Sequence, residues 1–150
     1  MKAMLLRVGI DTGCGGCLSP IFDDGSFEYI PIPEGCATSE NRTYLDLPGR
    51  SYKKLSDFVP KKLHNSKPHF DPEFETFTYG DPTTNKRRQL LRLNSGDLLI
   101  FYAGLYSTVK IDIPRLFIIG YFVVDKVYDF EEIQESDHDL ITPRVSNNAQ

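Results

Sequence analysis

The sequence predicts an α+β domain, mostly antiparallel or mixed β-structure with short peripheral helices. Three observations lead there. Ten prolines and eleven glycines in 150 residues chop the chain into short elements and turns. The aromatic share of 12% comes entirely from Phe and Tyr, which favour strands. Two long apolar runs lie late in the chain, at residues 98–105 and 116–124.

Each element follows in order. Residues 3–10 read as a buried first strand that stops at the glycine loop "GIDTGCGGCLSP". Asp24-Gly25 is a turn signal, and residues 27–33 begin like a strand before Pro31 and Pro33 turn it into an edge or exit. Residues 34–50 read as loop. Residues 51–59 fit a short helix with Ser51 as N-cap and Pro60 as stop. Residues 60–86 carry too many prolines for one element, and loops of that length are often functional. Lys86 to Leu93 fits a helical turn or two. Asn94-Ser95-Gly96-Asp97 is a sharp turn into the strand at 98–105. The unbroken apolar run at 116–124 predicts burial on both faces, as in a closed or covered sheet. Residues 1–139 read as a single domain and 140–150 as a tail that completes no element.

Composition narrows the class. No run of about 18 apolar residues exists, which argues against a membrane span. Arg7 interrupts the N-terminal apolar stretch, which lacks a secretion signal's uncharged core. Three cysteines make no disulfide framework, so the expected setting is reducing and cytoplasmic. The net charge of −4 disfavours generic polyanion binding, yet residues 50–92 carry +5 and the remainder −9. The basic middle is either a phosphate-facing surface, with Lys53, Lys54, Arg87 and Arg88 as contacts, or a solvated face.

Two stretches carry candidate chemistry. Cys14 and Cys17 have the spacing of a zinc knuckle or redox pair. No second close pair supplies the other ligands, and Leu18-Ser19-Pro20 is no helix start. Neither a metal nor a cofactor is therefore expected, and a buried or incidental thiol is the default reading. The glycines fit neither G-x-G-x-x-G nor a phosphate loop. Gly13, Gly15 and Gly16 would let backbone N–H groups approach a polar ligand edge beside Asp11 and Thr12; the alternative is a plain bend.

The second stretch, "HFDPEFETFTYGDP", offers His69, Asp71, Glu73, Glu75, Tyr79 and Asp81, with Phe70, Phe74 and Phe77 for packing. Carboxylates with a histidine suit acid–base work. They equally suit gripping a base edge while Tyr79 stacks on its face. Sequence alone leaves open whether any pair is catalytic.

The segments "MKAMLLRVGIDTGCGG", "SPIFDDGSFEYIPIPE", "HFDPEFETFTYGD", "GDLLIFYAGL" and "FIIGYFVVDKV" together resemble, in order, the third of the nucleotide modification associated domain families. These are uncharacterised domains encoded near phage and microbial DNA base-modification systems. Family proteins run further, so the chain reads as an N-terminal portion of such a protein. The "GD" turn, the strand ending in Phe101-Tyr102 and the "IIGYF" strand are also similar to EVE and PUA-like domains. Those are small barrels, several of which hold a modified base.

What the resemblances imply is recognition of a modified nucleotide, or a DNA or RNA base, in a polar and aromatic pocket. Asp11 and Thr12 would meet the base edge, Tyr79 or Tyr102 would stack, and His69, Asp71 and Asp81 would read substituents. The alternatives are an enzyme of base modification, transferase or glycosidase-like, working through His69, Asp71 and Asp81, and a non-catalytic scaffold for a DNA-modification enzyme.

Overall fold

The computed structural model describes residues 1–35, 40–81, 83–107 and 113–134. Cys36, Pro82, His138 and the tail at 140–150 lie outside the described residues. Strand β5 (Leu98–Ser107) is the axis of the main sheet. Strand β1 (Ala3–Arg7) runs parallel to its first half, Ala3 opposite Leu98 and Arg7 opposite Tyr102. Strand β2 (Ser19–Ile21) continues along the same edge, parallel to residues 105–107. The glycine loop is the excursion between these two strands.

Strand β6 (Arg115–Val123) pairs antiparallel with the other edge of β5, with an irregularity at Phe101/Tyr102 that leaves Ile119 without a direct partner. A second, two-stranded sheet joins β3 (Ile32–Pro33) to β4 (Pro68–His69). Helix α1 (Thr84–Leu90) is short, and two 3₁₀ turns occupy Leu55–Phe58 and Lys61–Leu63.

The chain is thus mixed α/β, mostly strand, as expected. The barrel is not. Among the described residues the sheet stays open, with β6 as one edge and no strand returning to β1. The expected burial of 116–124 on both faces is also corrected. Leu116, Ile118, Tyr121 and Val123 are each more than half exposed, because no described element covers that side. The helix expected at 51–59 shrinks to one 3₁₀ turn. Ser51 and Tyr52 both take positive φ, which no helix N-cap adopts.

Two apolar cores result. Leu6, Val8, Leu99, Phe101, Phe122 and Val124 pack beneath the sheet. Ile10, Ile30, Tyr44, Leu47, Leu55, Val59 and Leu63 form the other core, built from loops and 3₁₀ turns. Tyr44 has its hydroxyl satisfied by donation to the Pro31 carbonyl at 2.7 Å, so a loop residue becomes fully buried.

Candidate functional site

The segment 69–81 is not an irregular strap. The backbones of Glu73 and Thr78 bond reciprocally, 3.0 and 3.2 Å, closing residues 73–78 into a tight loop. Thr76 donates its hydroxyl to Glu73 Oε2 at 2.6 Å. Phe77 completes the turn at a positive φ of 56°. This closure drives Phe74 down between the rings of Tyr29, Phe101 and Phe122, with centroids 5.4, 6.1 and 5.6 Å away.

A cavity of about 240 Å³ opens where the two cores meet. Tyr29 and Phe74 wall it from the sheet side, and Phe70 and Leu55 from the loop core. Its polar lining is Glu28, Arg42, Glu73 and Glu75. Arg42 lies over the Phe70 ring, 5.5 Å from the centroid, and donates to both oxygens of Glu40 at 2.9 and 2.7 Å. That pairing holds the Glu40 carboxyl down at about 2. Glu28 accepts the Arg50 backbone N–H at 2.6 Å, but burial outweighs this and raises its carboxyl above the ordinary value.

Beside the cavity stands a second cluster. His69 Nδ1 sits 2.6 Å from Glu34 Oε2, across the β3–β4 pair. Its Nε2 lies 3.8 Å from Asp71 Oδ2, an ion-pair separation rather than a hydrogen bond. The Asp71 carboxylate and then Glu34 raise the imidazole to about 8 despite its burial. Burial pushes Asp71 up to about 6 against the pull of His69 and the Gly80 backbone N–H. Between those values both groups are charged. The Tyr29 hydroxyl donates to the Asp71 carbonyl at 3.1 Å, linking this cluster to the cavity wall.

The structure brings some expected residues together and separates others. His69 and Asp71 converge, with Glu34 as their third member. Asp81 acts on Asp71 through charge, but its carboxylate is bound by Lys86 at 2.8 Å and by the Thr83 side chain. Tyr79 packs on Phe101 at 5.6 Å beneath the sheet, whereas Tyr102 follows Phe101 on β5 and points to the opposite face. The two tyrosines do not share one pocket.

Asp11 is occupied by its own loop. Its Oδ1 accepts the N–H groups of Gly13 and Cys14 at 2.8 and 2.7 Å, and Oδ2 pairs with Arg7 at 3.2 Å. Gly16 donates its N–H to the Asp11 carbonyl at 3.0 Å, and Gly15 takes the positive φ the bend needs. Thr12 is exposed. None of residues 11–16 lines the cavity at the core seam. Cys14 and Cys17 are free thiols, both raised chiefly by burial, which disfavours the reactive thiolate.

Among the basic candidates, Lys53, Lys54 and Arg88 are exposed, and Lys53 sits 5.4 Å from the Phe58 ring centre. Arg87 is committed to Asp129 and Glu131 at 2.5 and 2.7 Å. Sequence reasoning missed Glu28, Tyr29, Glu34 and Arg42. These residues sit in proline-rich or loop segments with no periodic signal, and only their long-range partners single them out.

The family model of nucleotide modification associated domain 3 covers residues 2–149. No curated protein and no solved structure matches.

Proposed function

Given that this chain belongs to the nucleotide modification associated domain 3 family, we propose that it serves nucleotide modification by recognising a base or nucleotide in the cavity at the core seam. The observation that carries this reading is the cavity's make-up: three aromatic rings, Tyr29, Phe70 and Phe74, beside hydrogen-bonding groups on Arg42, Glu73 and Glu75. A planar guest with polar edges needs both, since stacking holds its face and side chains read its rim. In this reading the sugar–phosphate part runs outside, along exposed Lys53, Lys54 and Arg88. The barrel mouth inferred from EVE and PUA-like domains is not needed, because the pocket forms between two cores rather than within a closed sheet. Asp11, Thr12 and the glycines serve chiefly as a self-capped turn, and Tyr79 as support for Phe101. Tyr102, on the far face, is left as a candidate contact for a protein partner, such as a DNA-modification enzyme.

The test is calorimetric titration of the whole chain with modified and unmodified nucleosides and short oligonucleotides at low salt. Phe70→Ala, checked for folding by its thermal melt, should weaken binding by roughly tenfold, at the low end of one stacked base. Negligible binding of every probe would overturn the reading.

One observation favours a second reading, an enzyme of base modification. Glu34, His69 and Asp71 form an array in which one carboxylate orients the imidazole and the other faces it across 3.8 Å. Glycosidic cleavage is the chemistry such a pair suits. Mass spectrometry of nucleosides incubated with the chain and with its Asp71→Asn variant decides the matter. Product from the unaltered chain and none from the variant supports this reading; no product from either sinks it.

A further inference from the structure

We propose that the outer face of the main sheet is the contact between two copies of this chain, packed sheet against sheet about a two-fold axis. The seam cavity plays no part in this contact. Phe74, which walls the cavity, packs against Phe101 and Phe122 on the other side of the sheet.

The strand registers lay out the face. Leu5 on β1, Ile100 on β5 and Tyr121 on β6 share one row. Leu98 and Val123 stand in the row on one side, Tyr102 and Ile118 in the row on the other, with Leu116 beyond. Side chains alternate along a strand, so these residues point away from the core that holds Leu6, Phe101 and Phe122. The irregularity at Phe101/Tyr102 lets Ile118 and Tyr121, three residues apart, emerge on the same face. Leu5, Leu116, Ile118, Tyr121 and Val123 are 58–71% exposed, and no described element lies over them. Their exposed parts come to roughly 600 Å², the upper end of the largest patch on an ordinary monomer. Two such faces in contact remove about 1,200 Å² from water, which reaches the size of a stable interface, and the half-covered Leu98, Ile100 and Tyr102 add to it. Charge selects the occupant. In these rows the ionic side chain is Arg7, opposite Tyr102, and Asp11 already pairs with it at 3.2 Å. A nucleic acid or a strongly charged protein finds little counter-charge there. An apolar sheet matches a second one like itself, as a two-fold contact requires.

Sedimentation velocity of the whole chain across a concentration series should show a monomer–dimer equilibrium. Ile118→Lys and Leu5→Lys each place two charges in the contact, because each position occurs in both copies, and each should weaken the dimer by about a hundredfold or more. Tyr121→Ser, a milder change, should weaken it severalfold. Circular dichroism should show all three variants folded, since these side chains already stand largely in water. Tyr52→Ser, fully exposed but off this face, should leave the dimer intact. Loss of the dimer with Ile118→Lys but not with Leu5→Lys means pairing along the β6 edge alone and overturns the face contact. A monomer up to the solubility limit, or a dimer that survives both lysines, overturns it as well.

Discussion

Gly15 adopts a φ of +109°, and a Cβ built there would overlap the Ile10 side chain, which is itself almost fully buried. Gly15→Ala should therefore cost roughly 1–3 kcal/mol of stability, read from urea unfolding. Gly13, at ordinary φ with only Asp11 Oδ1 nearby at 3.3 Å, should tolerate the same change far better. At His69 the chemistry is acid–base. Its folded value of about 8 exceeds the 6.5 of a free imidazole, so its stabilising charge is fully present below pH 6.5 and lost as pH rises through 8. Asp71 is raised from 3.8 to about 6, so its preference for the proton also favours the folded state at low pH and fades as pH climbs through 6. Thermal melts should thus fall between about pH 6 and pH 9, by an amount on the order of 1 kcal/mol, and His69→Gln should flatten the upper part of that decline.

Strand β5 has two unlike faces. Leu99, Phe101 and Ala103 point into the core, while Leu98, Ile100 and Tyr102 are only partly covered. Phe101 touches the rings of Phe74, Tyr79 and Phe122, the last at 4.8 Å. Phe101→Ala should cost about 3–5 kcal/mol, and it should disturb the cavity too, because Phe74 leans on it. On β6 the contrast lies between neighbours. Phe122 is buried, whereas Tyr121 is 64% exposed on a face that no described element covers. Tyr121→Ser should shift stability by less than about 1 kcal/mol while raising solubility, measurable by light scattering at high concentration. The 73–78 loop works as an element in its own right, since its backbone closure seats Phe74 and brings Glu73 and Glu75 to one rim.

At the scale of the molecule, an acidic protein of net charge −4 carries a segment of +5. Long-range attraction to a polyanion is weak, and local contacts must do the work. With Arg87 held by Asp129 and Glu131, three exposed cations remain among the expected phosphate contacts: Lys53, Lys54 and Arg88. Oligonucleotide affinity, followed by fluorescence anisotropy across a salt series, should give a log–log slope no steeper than about −3. A slope near zero would remove the phosphate role from all three. The two-core plan also places the cavity where loops meet a sheet, so ligand binding should protect backbone amides in both cores from hydrogen exchange.

The sequence by itself determined the kinds of local structure and the family. The Gly96-Asp97 turn and the β5 and β6 strands follow from turn residues and apolar runs, which act over a few positions, and the helical turn expected from Lys86 to Leu93 forms two to three residues earlier, at Thr84–Leu90. His69 and Asp71 were legible only as candidates beside Asp81, and their 3.8 Å approach is set by the fold. Tertiary structure alone decided that β6 is an edge with a bare face, since continuous hydrophobicity does not say whether a covering layer exists. It alone joined Glu34 to His69 and brought Glu28, Tyr29 and Arg42 to the 70–75 loop. Those groups come from segments without periodic pattern, and only the packing of one core against the other sets them facing a common space.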